Sequence, residues 1–208
     1  MSCRDCSRTT RQIIPTPMTA RLGILLSGSG TTYAALAEAI AAGHLPAKIA
    51  VVVASKPGIG GIARAQANGH PVVIATDPDA VTAALTDHGA DWVAMCGWLK
   101  SWDPPVRFAG RTVNVHPALL PAFGGKGMYG RHVHAAVLAR GCTLSGCTIH
   151  LVAGHYDSGP ILAQQAVPVT TDDTAETLQA RVQATERSLY PQVLADLITG
   201  RLRPRNSP

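Results

Sequence analysis

The first 116 residues alternate short, almost continuous apolar runs with stretches of helical period. The runs are Leu22–Leu26, Ile49–Ala54, Val72–Ile74, Trp92–Cys96 and Thr112–Val115. A strand that is apolar at successive positions shows both of its faces to a dry interior, so helices must cover the sheet above and below. The stretches between the runs fit that need. Residues 31–42 are alanine-rich and close at Gly43, residues 60–68 close at Asn68-Gly69, and a third helical stretch lies near 79–88. Strand and helix alternating in this way predict an α/β fold, a Rossmann-like and mostly parallel sheet with helices on both faces.

Past residue 140 the pattern changes. Cys147–Val152 alternates apolar and polar residues, and Ile161–Val167 follows a Ser-Gly-Pro turn. The two predict an antiparallel pair added to the C-terminal side of the sheet. A final helix is expected to open at Asp173-Thr-Ala-Glu176, a capping-box spacing, and to end at Gly200. Its core stripe would be Leu178, Val182, Leu189, Val193 and Leu197, and Pro191 should kink or split it. No internal repeat is present. The expected layout is a flexible leader over 1–20, with Met18 an alternative start, one domain over 21–202, and a frayed tail over 203–208.

Composition narrows the function classes. With 46% hydrophobic and 15% charged residues, the 208-residue chain is globular and long enough to bury a core. No apolar run approaches the length of a membrane span, and the N-terminus has no secretory signal pattern, so a cytoplasmic protein is expected. The net charge of +5 draws on arginines near both ends, and aromatics make up only 4%, so no basic stripe with interleaved rings marks a nucleic-acid binder. Five cysteines, an odd number, suit a reducing compartment. Cys3 and Cys6 form a lone C-x-x-C without a second ligand pair, so no metal is expected.

Three segments carry chemistry. Ser27-Gly-Ser-Gly-Thr-Thr32 joins the first strand to the first helix, where glycines admit a close ligand and free amides attract an anion. Its spacing matches neither the dinucleotide nor the Walker pattern, and its place after the first strand of an open parallel sheet favours a monophosphate over a plain tight turn. Asn114 and His116 share one face at the crevice end of the fifth strand, and Pro117 keeps that backbone extended. An amide donor beside an imidazole suits a reaction with a transient oxyanion and a proton to move. Asp157, in His-Tyr-Asp-Ser-Gly-Pro, offers a carboxylate; by spacing alone it reads more readily as the cap of the Ser158-Gly159 turn. Phe123–Gly130 has four glycines in eight residues and reads equally as a closing loop, with Lys126 as an anion contact, or as a linker. His132 and His134, two positions apart on the helix that follows, make a poor metal pair.

Taken together these segments resemble the formyltransferase family that uses 10-formyltetrahydrofolate, and within it the branch acting on glycinamide ribonucleotide. The likeness rests on Ile24–Thr32, Cys96–Lys100, Val113–Pro121, Gly146–Val152, Asp157–Ile161 and Arg181–Pro191, and spans about residues 21–202. It implies formyl transfer from the folate, as co-substrate and without a metal, to the amine of glycinamide ribonucleotide in purine biosynthesis. The partners it implies are these small molecules, not nucleic acid or membrane; oligomeric state is left open.

The resemblance assigns Asn114, His116 and Asp157 as the catalytic set, Gly30, Thr31, Thr32, Gln183 and Glu186 to the phosphoribosyl substrate, and Leu99, Lys100, Ser101, Trp102 and Asn114 to the folate. Asp157 is expected to raise the pKa of His116 and favour its imidazolium. Three departures stand out, one being that the leader at 1–20 has no family equivalent. The family often ends the phosphate loop in Ser-Asn where this chain has Thr31-Thr32, and residues 75–91 hold no counterpart of a folate-contacting arginine. The alternatives are hydrolysis of the same folate to formate, in a branch that typically carries an additional N-terminal domain, and non-catalytic binding of a phosphorylated metabolite.

Overall fold

The structure, a computed structural model, describes residues 19–204. The expectations for residues 1–18, including the Cys3-x-x-Cys6 pair, and for residues 205–208 lie outside the described residues. The chain runs β1 (Ala20–Leu26), α1 (Thr31–Ala41), β2 (Ala47–Ala54), α2 (Gly60–Ala67), β3 (Val72–Ile74), α3 (Pro78–Asp87), β4 (Trp92–Met95), a 3-10 turn (Val106–Phe108) and β5 (Thr112–His116). It continues through α4 (Arg131–Ala139), β6 (Leu144–Leu151), β7 (Ile161–Pro168) and α5 (Ala175–Ile198).

One seven-stranded sheet results, in the order β3-β2-β1-β4-β5-β6-β7. The strands from β3 to β5 pair in parallel, and β6 and β7 add antiparallel to β5, as the two hydrophobic periods indicate. The apolar runs are continuous because each strand feeds two cores. Leu22, Ile24 and Leu26 of β1 join Val52 and Ala54 of β2 on the face covered by α1 and α5. Leu25, Val51 and Val53 point the other way, under α3, with Trp102 and Phe108. Gly23 allows α3 to approach, since a Cβ there would lie 2.3 Å from Leu85 Cδ2. A third cluster, Val137, Cys147, Val167, Leu178 and Val182, fastens α4 and α5 to the antiparallel strands.

Several boundaries differ from the sequence reading. β1 begins at Ala20, a buried residue inside the segment expected to be leader, because Ala20 pairs with Ala47 of β2. The cap of α5 is Thr174, which accepts from the Thr177 N–H while Thr177 Oγ1 accepts from the Thr174 N–H. Asp173, expected to open that box, instead accepts from the Thr170 N–H and Thr177 Oγ1 and pairs with Arg181. Pro191 does not split α5, which runs unbroken for 24 residues. One missing N–H is tolerated where Tyr190, Val193 and Leu194 bury both flanking turns. Tyr190 also donates to the Val113 carbonyl at 2.7 Å, fastening the middle of the helix to β5.

The strand order reverses between β1 and β4, since β1 leads outward to β2 and β3 before the chain returns to β4 on its other side. In open α/β sheets, ligands bind outside the carboxyl ends of the strands at such a reversal. The loops after β1 and β4 and the end of β5 all meet there.

Candidate active site

A cleft of about 780 Å³ opens at this edge. Its walls include Gly30, Thr31 and Thr32 after β1, Leu99 to Trp102 after β4, Asn114 and His116 of β5, Asp157 of the β6–β7 connection, and Gln183 and Glu186 of α5. Every residue that the resemblance assigned to the site therefore borders one cavity, although they span 157 positions of chain, from 30 to 186.

Gly30 caps α1 with φ 75° and no side chain bonds the helix N-terminus. The first amide to be used is that of Ala34, which donates to the Gly30 carbonyl, so the amides of Thr31, Thr32 and Tyr33 stay open to an anion. The loop is seated tightly: a Cβ on Gly30 would lie 2.6 Å from Gly61 Cα at the start of α2. Opposite stands α5, presenting Gln179, Gln183 and Glu186 one turn after another. Glu186 is 7% exposed, and no group among the described residues hydrogen-bonds to it. Burial pushes its carboxyl up to about 7, with only a small opposing pull from Arg187.

Leu99, Lys100 and Ser101 are exposed at the rim, where the Leu99 N–H donates to Ser27 Oγ of the loop after β1 at 3.0 Å. Trp102 offers the cleft chiefly its backbone. Its side chain is 4% exposed, packs against Phe108, and donates through Nε1 to Thr82 Oγ1 at 3.0 Å.

Asn114, His116 and Asp157 line the same cleft. His116 Nε2 is 2.8 Å from the Phe123 carbonyl, which can only accept, so Nε2 carries the proton. Nδ1 faces Asp157 Oδ2 at 3.4 Å. When the ring is neutral that nitrogen holds a lone pair, and when it gains a proton the carboxylate is ready to pair with it. Asp157 is itself held by the Gly125 N–H, which donates to Oδ2 at 2.9 Å. Among the described residues only Phe123 (φ 54°) and Asp157 (φ 55°) are non-glycine residues in the left-handed region, and they grip His116 from both sides. Sparsely populated backbone of this kind collects where surrounding structure forces it, commonly at functional sites.

The turn after His116 is pinned as well. Thr148 Oγ1 accepts from the Leu120 N–H and donates to the Ala118 carbonyl, and Gln164 Nε2 donates to the Leu120 carbonyl. These contacts hold the cleft edge of β5 to β6 and β7.

The sequence reading missed His150. It faces Asn114 across the β5–β6 pair and donates from Nδ1 to the Leu151 carbonyl at 2.8 Å. Its Nε2 lies 3.2 Å from Asn114 Nδ2 and 3.5 Å from Asp157 Oδ1. A neutral His150 therefore accepts from the Asn114 amide, fixing that amide's orientation and leaving its second N–H free. A protonated one turns to Asp157. The alternation Cys147-Thr-Ile-His150 put this ring on the same face as Thr148, but only the register shows that Asn114 is its neighbour.

One electrostatic expectation is overturned. Burial lowers the pKa of His116 and outweighs the opposing influence of Asp157 and the Phe123 carbonyl, while His150 adds a further push downward. The net direction is down, not up, so the imidazole rests neutral at neutral pH. For Asp157, burial would raise the carboxyl, but His150, the Gly125 N–H and the His116 charge outweigh it and hold it below the usual range. Asp157 rests ionised.

Likeness to known proteins extends over most of the chain. The sequence profile described as formyl transferase matches residues 20–194. The chain belongs to that family. It is 40% identical over 197 residues to a phosphoribosylglycinamide formyltransferase of Mycobacterium tuberculosis, covering 89% of this chain and 88% of that one. It is also 40% identical over 193 residues to a chloroplastic phosphoribosylglycinamide formyltransferase of Vigna unguiculata, matching 88% of this chain but spanning only 62% of the plant protein. The crystal structure of glycinamide ribonucleotide transformylase 1 from Symbiobacterium toebii superposes with a TM-score of 0.81 at 33% identity, over 90% of this chain and 95% of that one. No helix among the described residues is long and apolar enough to cross a membrane.

Proposed function

We propose that the protein transfers the formyl group of 10-formyltetrahydrofolate to the amine of glycinamide ribonucleotide, a step of purine biosynthesis. The observation that carries this reading is the meeting of an amide, an imidazole and a carboxylate in one cleft with an open helix N-terminus and the rim after β4. A phosphate on Gly30, Thr31 and Thr32, approached by Gln183, would set the ribosyl-glycinamide portion along α5 past Glu186. The folate would enter from Leu99, Lys100, Ser101 and the Trp102 backbone, bringing its formyl carbon to Asn114.

In the reaction one C–N bond forms, between the acceptor amine and the formyl carbon, and one breaks, between that carbon and the folate nitrogen. One proton passes from the attacking nitrogen to the leaving one. The free N–H of Asn114 donates to the oxyanion of the tetrahedral intermediate. A donor preorganised at such an oxygen is worth about 3 kcal/mol, or about 10²–10³ in rate. His116, neutral at rest, takes the proton as the attacking nitrogen becomes cationic and returns it to the leaving nitrogen. Asp157, ionised 3.4 Å away, stabilises the imidazolium while it exists. The chemistry needs no covalent enzyme intermediate, and these residues call on no metal.

The cytoplasm is the proposed location, supported by the free thiols of Cys96, Cys142 and Cys147. The test is a product assay with both substrates, separating formylated amine from formate, on the wild type and on Asn114→Ala, His116→Ala and Asp157→Ala. Formylated amine from the wild type and a kcat loss of about 10² or more for Asn114→Ala are expected. Formate as the main product, or three variants that fold and turn over at the wild-type rate, would end this reading.

A further inference from the structure

His134 lies on α4, is 1% exposed, and nonetheless borders the cleft, near enough to His116 for the two rings to interact. Its neighbours on the helix, Val133 and Val137, are buried and apolar, so packing alone does not call for an imidazole there. Each of the other two buried rings of the site has both nitrogens facing protein groups: His116 meets Phe123 and Asp157, and His150 meets Leu151 and Asn114. Neither nitrogen of His134 hydrogen-bonds to anything among the described residues, and Nδ1 is shut away from solvent without a partner. Buried polar groups are almost always satisfied, so an orphan at a cavity wall marks where a ligand supplies the missing bond.

We propose that His134 is a binding residue for the acceptor substrate, hydrogen-bonding a ribosyl hydroxyl or the amide of the glycinamide portion. This rests on the formyl-transfer reading of the cleft and adds a contact to it.

The chemistry of the partner follows from the ring's charge. Burial lowers the His134 pKa, and the nearby His116 lowers it further, so the ring stays neutral, with one donor and one acceptor nitrogen. Phosphate calls for cations and amides; a hydroxyl or a carboxamide both gives and receives, as a neutral imidazole does. The side of the cleft follows from packing. α4 packs against α5, which carries Gln183 and Glu186, the side chains assigned to the acceptor.

The experiment compares wild type, His134→Leu and His134→Gln. It uses calorimetric binding of glycinamide ribonucleotide without folate, steady-state KM for each substrate, and thermal unfolding with and without the ribonucleotide. Loss of one hydrogen bond predicts that His134→Leu weakens ribonucleotide binding about ten-fold, while the folate KM stays within about two-fold. His134→Gln, which keeps a donor and an acceptor, recovers part of the loss. The unliganded His134→Leu protein unfolds no earlier than wild type, since an unsatisfied group has been removed, but the ribonucleotide raises its Tm less. Wild-type affinity in His134→Leu overturns the proposal. So does equal weakening of both substrates together with a lower unliganded Tm, which would make the residue structural. A wild type that neither binds nor formylates the ribonucleotide brings down the functional reading along with this one; a wild type that does both, matched by His134→Leu, brings down this one alone.

Discussion

Replacing Glu186 with glutamine should remove a loss of stability that the protein undergoes as pH rises from about 4.5 to about 7. The carboxyl is 7% exposed, has no hydrogen-bond partner among the described residues, and is pushed by burial from 4.5 to about 7. In the unfolded chain it ionises near 4.5, so between that value and about 7 the folded state holds a proton that the unfolded state has released. Stability then falls as pH rises through this window and levels off above it. A displacement of about 2.5 pKa units corresponds to about 3 kcal/mol. Glutamine keeps the shape and has no charge to desolvate. Urea unfolding of both proteins, followed by tryptophan fluorescence from about pH 4.5 to about pH 8.5, isolates this group, because all other titrations cancel in the difference. The E186Q minus wild-type stability should climb by about 3 kcal/mol across the range. A flat difference would mean the carboxyl is solvated or paired in solution. A falling one would mean that Arg187 or another cation holds it as an anion, and the burial argument would be refuted.

Three further perturbations probe the same frame. Asp157→Asn removes the influence that opposes burial at His116, so the His116 pKa should drop further below 6.5. The acid limb of the kcat/KM profile should move to lower pH while kcat falls, and an unmoved limb would separate the two residues. By the same linkage, the stability contributed by neutral His116 is present above about pH 6.5 and lost as pH falls through its lowered folded value. Gly124→Ala puts a Cβ 2.5 Å from Leu120 Cδ2 and 3.4 Å from Asp157 Cβ, and Leu120 is buried. The shift should displace the carboxylate and cost about ten-fold or more in kcat, with KM values little changed; steady-state kinetics reads both. Tyr190→Phe loses the 2.7 Å bond to the Val113 carbonyl and should cost about 1 kcal/mol in urea unfolding without altering either KM.

The parallel part of the fold was legible because apolar runs buried on both faces look like nothing else in a chain of this composition. Leu22–Leu26 and Ile49–Ala54 feed two cores at once, and their residues show it. The end of the chain was less legible because local rules competed there. Asp173 and Glu176 have a capping-box spacing, yet Thr174 and Thr177 form the box, since Asp173 is drawn to the Thr170 amide and to Arg181. Pro191 predicts a break that tertiary burial of its neighbours overrides.

The site divides along a similar line. Asn114 and His116 could be paired from spacing, since strand geometry alone puts them on one face. Asp157 could not, because 41 residues and an antiparallel excursion separate it from His116 and its own sequence favours a turn. The structure shows that the turn reading and the site reading do not compete. Asp157 takes the left-handed turn conformation, φ 55°, and that conformation brings its carboxylate to Nδ1 of His116 and to the Gly125 amide. The groups that complete the constellation carry no local signature at all. His150 reaches Asn114 only through the β5–β6 register, and the Phe123 carbonyl reaches His116 only because a bulky residue is held at φ 54°. Contacts to backbone carbonyls, more than any motif, decide which nitrogen of each ring is left to do chemistry. His116 is fixed as Nε2–H by a backbone carbonyl, so its one basic nitrogen is the nitrogen that faces the carboxylate.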